Sequence, residues 1–169
     1  TRPAKDGEVG TSSVSQSTSS AENNTALSLK GQQLSEFKMT SQDGKLVASS
    51  ELYDKPMLIV EWASWCPHCQ KQLPIVQQMY EKYGEQINFV LLNMNEPGKE
   101  TKESADRYIK EKGYTFPYYY DEDQSAADLL QVQTIPSMYF VTKKQEVKNV
   151  LVNHSDAESF SKELQTLLN

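Results

Sequence analysis

Residues 57–69 read Met57-Leu58-Ile59-Val60-Glu61-Trp62-Ala63-Ser64-Trp65-Cys66-Pro67-His68-Cys69. The first six make a short apolar run with one charge, the pattern of a strand buried on both faces. From Pro67 to Tyr83, Leu73, Val76, Met79, Tyr80 and Tyr83 recur at helical spacing, with Pro74 inside as an expected kink. Two cysteines three apart therefore stand where a strand gives way to a helix, and at that spacing they can close a small disulfide ring. A helix N-terminus, with unsatisfied N–H groups and a macrodipole, favours a thiolate at the first of them. Thiolate is the attacking species in disulfide exchange, so Cys66 is the expected nucleophile and Cys69 the resolving partner. Pro67, which opens the helix, and His68 are the expected tuning residues, His68 through a protonated ring or a ring N–H donated to sulfur. Stabilising the thiolate stabilises the reduced form and makes the disulfide a better oxidant, about 1.4 kcal/mol for every ~30 mV.

A cysteine pair alone also fits a structural disulfide, half of a zinc site, or two unremarkable thiols. Zinc would need two more ligands, and besides carboxylates only His68 and His154 are available. His68 lies inside the loop, so no metal site is expected. Trp62, Trp65 and the helix-opening Pro67 turn the reading toward a redox site. A second element lies downstream, Thr134-Ile135-Pro136, just ahead of the apolar stretch Ser137 to Val141. A trans proline there would merely open a strand. A cis Ile135–Pro136 bond would make a tight turn whose backbone can face a neighbouring sulfur.

The 169 residues fit one domain of ordinary size. Their 37% hydrophobic content is low for a globular chain, and the deficit traces to Thr11–Thr25, mostly Ser, Thr and Asn. Residues 1–26 are therefore expected to be a flexible Ser/Thr-rich tether, and residues 27–169 the folded domain. A net charge of −6 with no basic cluster argues against a nucleic-acid partner. Two cysteines exclude a disulfide-stapled miniprotein and a four-cysteine zinc module. No apolar run approaches the roughly 18 residues of a membrane span.

The remaining pattern is a hairpin around Asp43-Gly44 with Leu34, Phe37 and Met39 inward, then a helical turn capped by Ser49 and Ser50. Strands are expected at Ile87–Leu92, Phe116–Tyr120, Ser137–Val141 and Val147–Val152. Helices are expected at Thr101–Lys112, Gln124–Leu130 and from Asp156 to Leu168. Strands alternating with helices indicate an α/β domain with a mixed central sheet. The run Lys99–Lys112 reads as a solvated helix face, Tyr118-Tyr119-Tyr120 as rim packing, and His154 as surface. Asn23-Asn24-Thr25 and Asn153-His154-Ser155 match the glycosylation pattern, which is common by chance.

From about Leu34 to Leu168 the chain resembles the thioredoxin superfamily, specifically its extracytoplasmic TlpA/ResA-like thiol–disulfide oxidoreductases. The resemblance rests on Asp43-Gly44-Lys45, on Trp62 to Cys69, and on the helix proline Pro74. It continues through Asn93-Met94-Asn95-Glu96, Thr115-Phe116-Pro117 and Thr134-Ile135-Pro136, the last in the cis-proline position. It implies a thioredoxin fold with an N-terminal β-hairpin extension and an inserted helix, its mixed central sheet flanked by helices. Cys66 would attack and Cys69 resolve, while Trp65, Thr134, Ile135 and Pro136 would cradle the client chain. The implied redox group is the Cys66–Cys69 disulfide itself, with no other cofactor. The implied partners are client proteins with cysteines or disulfides and a membrane thiol-redox protein, CcdA-like or quinone-linked. The implied form is a monomer tethered to the membrane or cell surface outside the cytoplasm, in a Gram-positive bacterium.

Departures from the family bear on direction. Pro67-His68 is similar to the dipeptide of the strongly oxidising DsbA proteins, whereas the scaffold looks like the reductive branch. The histidine tips the expectation toward disulfide formation. The alternatives are a reductase, serving client disulfides, cytochrome c maturation or a surface methionine sulfoxide reductase, and a non-enzymatic binding or chaperone module. A peroxidase of the same fold would need a lone reactive cysteine with nearby Thr and Arg. Gln72 stands where the family often has an acid, and Val60 where thioredoxin has a buried aspartate. Glu61 replaces a usual aromatic. It is either a proton relay for Cys69 or a carboxylate satisfied by a lysine, a backbone donor or solvent, and the alternation of the strand favours the second.

Overall fold

The computed structural model describes residues 24–169. Seven strands form one sheet in the order β2-β1-β5-β4-β3-β6-β7. They are β1 Lys38–Thr40, β2 Leu46–Ala48, β3 Met57–Trp62, β4 Asn88–Met94, β5 Tyr118–Asp121, β6 Ser137–Val141 and β7 Val147–Val152. The helices are α1 Pro67–Tyr83, α2 Lys102–Lys112, α3 Ser125–Leu129 and α4 Ala157–Thr166. The apolar run at 57–62 becomes the central strand, wholly buried, parallel to β4 and antiparallel to β6.

Alternation along β3 splits the core. Leu58, Val60 and Trp62 face a cluster that holds Leu73 and Val76 of α1, Ile109 of α2, and Phe160 and Leu164 of α4. Met57 and Ile59 face a second cluster with Ala26, Leu34, Phe37, Ala126 and Tyr139. Three helices thus cover one face, and the N-terminal segment with α3 covers the other. Cys66 and Cys69 belong to the first cluster, so the redox loop starts from the helix-covered face. The β1–β2 hairpin turns through Gly44 at φ 86°, a conformation that glycine adopts without penalty. Among the described residues no helix is long and apolar enough to cross a membrane.

Several expectations shift. The packed domain reaches back beyond residue 27: Ala26 is fully buried, and Asn24 caps a 3-10 helix at Thr25–Leu29. Residues 1–23 of the expected tether lie outside the described residues. Helix α1 runs through Pro74 without interruption. The turn Ser49–Leu52 forms, but Ala48 occupies its cap position, because the Ser49 hydroxyl accepts from Phe37 N–H at 2.9 Å. Strand β5 starts two residues later than Phe116, and α3 is one residue shorter at each end than expected. The stretch Lys99–Lys112 is not a uniformly solvated face, since Glu100, Ala105 and Ile109 are buried.

Candidate active site

Cys66 is the N-cap residue of α1, with extended backbone (φ −86°, ψ 118°), and Pro67 begins the helix. Proline costs nothing there, because an N–H at that position would have no helical partner. The Cys66 sulfur takes the place of a capping oxygen and accepts from the Cys69 backbone N–H at 3.2 Å. Its thiol is held at about 7, first by the hydrogen bond from the Cys69 side chain, then by the backbone N–H groups of Cys69 and His68, against the opposing effect of burial. Cys69 is fully buried, and its thiol is pushed far above the usual range, first by that burial, then by the Cys66 sulfur and the Glu100 charge. Two residues of one type thus acquire opposite character. Both are free thiols in this structure.

His68 is exposed, and it reaches Cys66 through its backbone N–H. The expectation placed the effect in the imidazole; at a helix start, the amide of the second helical residue already points at the cap atom. Pro67 acts by opening the helix at the right register.

The Ile135–Pro136 bond is cis, and the Cys66 thiol donates to the Ile135 carbonyl at 3.4 Å. The loop is tied from both sides: Ser137 Oγ donates to the Thr134 carbonyl at 2.6 Å, and Asn24 Nδ2 donates to Thr134 Oγ1 at 3.2 Å. Pro136 itself is buried, while Thr134 and Ile135 line a groove of about 560 Å³ shared with Trp65, Cys66 and His68. Trp65 is 40% exposed beside two buried cysteines, and Lys99 Nζ lies 4.3 Å from its ring centroid. An exposed aromatic next to a reactive sulfur offers an apolar contact to an incoming chain.

Glu61 is not brought together with the cysteines. Neighbouring strand positions point to opposite faces, so it shares the face of Met57 and Ile59, where it is fully buried. Among the described residues neither carboxyl oxygen meets a lysine or a backbone donor, and its polar neighbour is the Asp121 carboxyl. Burial, and next the charge of Asp121, raise its carboxyl well above the ordinary range. Asp121 in turn accepts from Ala126 N–H at 3.1 Å and Ala127 N–H at 2.8 Å. Gln72 is buried, with Oε1 accepting from Ser155 N–H at 2.7 Å.

The sequence reading missed Ser64, Glu100, Lys99 and Asn24. Glu100 lies two positions ahead of α2, outside helical periodicity, and it meets Ser64 from 36 residues away in the chain. No spacing rule connects the two.

A nucleophile-like thiol at a helix start, a buried partner thiol and a cis-proline loop across from them define a thiol–disulfide oxidoreductase of thioredoxin fold. The chain belongs to the AhpC/TSA family, which its residues 30–150 match. It is 25% identical over 126 residues to the thiol-disulfide oxidoreductase ResA of Halalkalibacterium halodurans, covering 74% of this chain and 69% of that protein. ResA of Bacillus subtilis is 24% identical over 123 residues, 72% of this chain and 66% of that one. Among solved structures, a thiol:disulfide interchange protein DsbE from Chlorobium tepidum superposes with a TM-score of 0.73 at 20% identity. It covers 83% of this chain and 98% of its own. StoA from Bacillus subtilis gives 0.66 at 22% identity, over 76% and 96% of the two chains.

Proposed function

We propose that Cys66 and Cys69 exchange disulfides with client proteins outside the cytoplasm, in the direction of disulfide formation. The observation that carries exchange is the asymmetry of the pair: Cys66 is held at about 7 beside the groove, and Cys69 is buried with its thiol pushed far up; the direction rests on the likeness of Pro67-His68 to the DsbA dipeptide. In the oxidised form, a client thiolate attacks the Cys66 sulfur and breaks the Cys66–Cys69 bond, and Cys69 leaves and takes a proton. A second client thiolate then attacks the client sulfur of the mixed disulfide, and Cys66 departs as the thiolate. The client loses two electrons and two protons, and the enzyme gains both electrons. A thiol of low pKa is the better leaving group, so the N-cap position that stabilises Cys66 assists the final step. Trp65, Thr134 and Ile135 border the path of the client, and Pro136 underlies it. A membrane thiol-redox protein would restore the disulfide.

One observation favours the reverse direction. A Cys66 thiol at about 7 lies near the value of about 7 for thioredoxin and above the roughly 3.5 of DsbA. Equilibration with glutathione separates the two. A reduction potential between about −120 and −180 mV supports oxidation of clients, and one near −270 mV assigns the protein to reduction. Insulin-reduction and scrambled-ribonuclease assays test exchange itself: turnover is expected in the wild type and its loss in Cys66→Ala. Absence of thiol-dependent turnover in both would leave a binding module.

A further inference from the structure

Behind the redox loop lies a carboxylate that the exchange reaction, as described, does not use. Glu100 is 1% exposed and, among the described residues, forms no ion pair. Its Oε2 accepts from Ser64 N–H and from Asn93 Nδ2, each at 2.7 Å. Its Oε1 accepts from Ser64 Oγ at 2.7 Å and Ser104 Oγ at 2.6 Å. Asn93 ends the buried part of β4 and accepts in turn from Asn95 Nδ2 at 2.6 Å. Ser104 lies in the first turn of α2. The remaining polar group of Ser64, its carbonyl, accepts from Gln70 Nε2 at 2.8 Å. Every hydrogen-bonding group of Ser64, two residues ahead of Cys66, is thereby engaged, its N–H and hydroxyl by Glu100 and its carbonyl by Gln70 of α1. A buried charge is expensive unless donors surround it, and four donors around one carboxylate make a built site.

We propose that Glu100 is a positioning residue of the redox motif: it locks the Ser64–Trp65 loop so that Cys66 faces the groove. The inference rests on the exchange reading of Cys66 and Cys69 and assigns to it a residue outside the motif. The Glu100 charge also adds to the rise of the Cys69 thiol.

Charge and geometry can be separated. The two donors on Oε2 are N–H groups of fixed polarity, whereas the two on Oε1 are hydroxyls that can turn and accept. Glu100→Gln, with its carbonyl in the first place and its NH2 in the second, keeps all four hydrogen bonds and deletes only the charge. Glu100→Ala deletes both.

The test is a two-phase reaction of the reduced protein with dithiobis(nitrobenzoate). In the first phase the Cys66 thiolate forms a mixed disulfide and releases one aryl thiolate. In the second, Cys69 attacks the Cys66 sulfur, closes the Cys66–Cys69 disulfide and releases another. In Glu100→Ala the first phase should slow about tenfold or more, since small misplacements of a reacting atom carry costs of that size, and Glu100→Gln should restore most of it. Should the alanine variant fail to fold, Ser64→Ala supplies the same arm with a smaller slowing. First-phase rates at wild-type level in Glu100→Ala or Ser64→Ala, or a first phase as slow in Glu100→Gln as in Glu100→Ala, overturns the inference while leaving the exchange reading intact. A wild-type protein that never releases the second aryl thiolate overturns the exchange reading, and this inference with it.

Discussion

At the scale of single residues, the protein separates two pairs of like groups by their surroundings. Cys66 and Cys69 differ because one is the cap atom of a helix and the other lies inside the core. Glu61 and Asp121 differ because Asp121 has two backbone donors while Glu61 has none. The Glu61 carboxyl, raised well above its ordinary 4.5, binds a proton in the folded state that the unfolded chain releases. Its contribution to stability is therefore complete below pH 4.5 and is lost as pH rises from there toward the folded-state value. Glu61→Gln, a neutral isostere, should gain stability over the wild type progressively above pH 4.5 and show little difference below it. Urea midpoints measured across pH 4 to 9 check this, and parallel slopes in the two proteins would contradict it. Exchange rates in that variant should match the wild type, because the side chain sits on the far face of the sheet; a changed pH–rate profile would return Glu61 to the cysteines.

At the scale of elements, the active site is a meeting of two element ends and a turn: the end of β3, the start of α1 and the turn before β6. The third is held by the N-terminal segment, where Asn24 both accepts from Ala26 N–H at 3.0 Å and donates to Thr134. Losing such a cap costs about 1 kcal/mol. A chain starting at Leu27 should therefore be less stable than one starting at Asn24, with faster hydrogen exchange at Thr134–Ser137; equal stability would show that this segment does not brace the loop. Helix α4 contributes differently, through Phe160, fully buried with its ring centroid 5.5 Å from that of Phe140. Phe160→Ala should cost about 3–5 kcal/mol by urea denaturation while the Cys66 thiol keeps its acidity in the fraction that stays folded. A shift in that acidity would mean that α4 helps to shape the site.

At the scale of the whole molecule, what the sequence showed and what it hid follow from chain distance. The strand of 57–62, the helix beginning at Pro67 and the cysteine spacing are local patterns, and they stand where their periodicity placed them. The turn at Thr134-Ile135-Pro136 was legible as an alternative, and the fold selects the cis form. Glu100 was read as part of a solvated face because it stands in a charged run, and its neighbours Lys99 and Thr101 are exposed; only the tertiary approach of Ser64 makes it a buried site. Glu61 stood out as a charge in an apolar run, yet its partner Asp121 lies on β5, two strands away in the sheet. The start of the domain was set too late because Asn24-Thr25-Ala26 has the composition of the segment before it, and burial of a single alanine leaves no compositional trace.

The account depends on Cys66 being the acidic, reachable member of the pair, and alkylation of the reduced protein as a function of pH, with the modified residue read by mass spectrometry, tests that most directly. A midpoint near 7, more than a unit below the roughly 8.5 of a free cysteine, with modification confined to Cys66, is the predicted result. A midpoint at or above 8.5, or equal modification of Cys69, would contradict it.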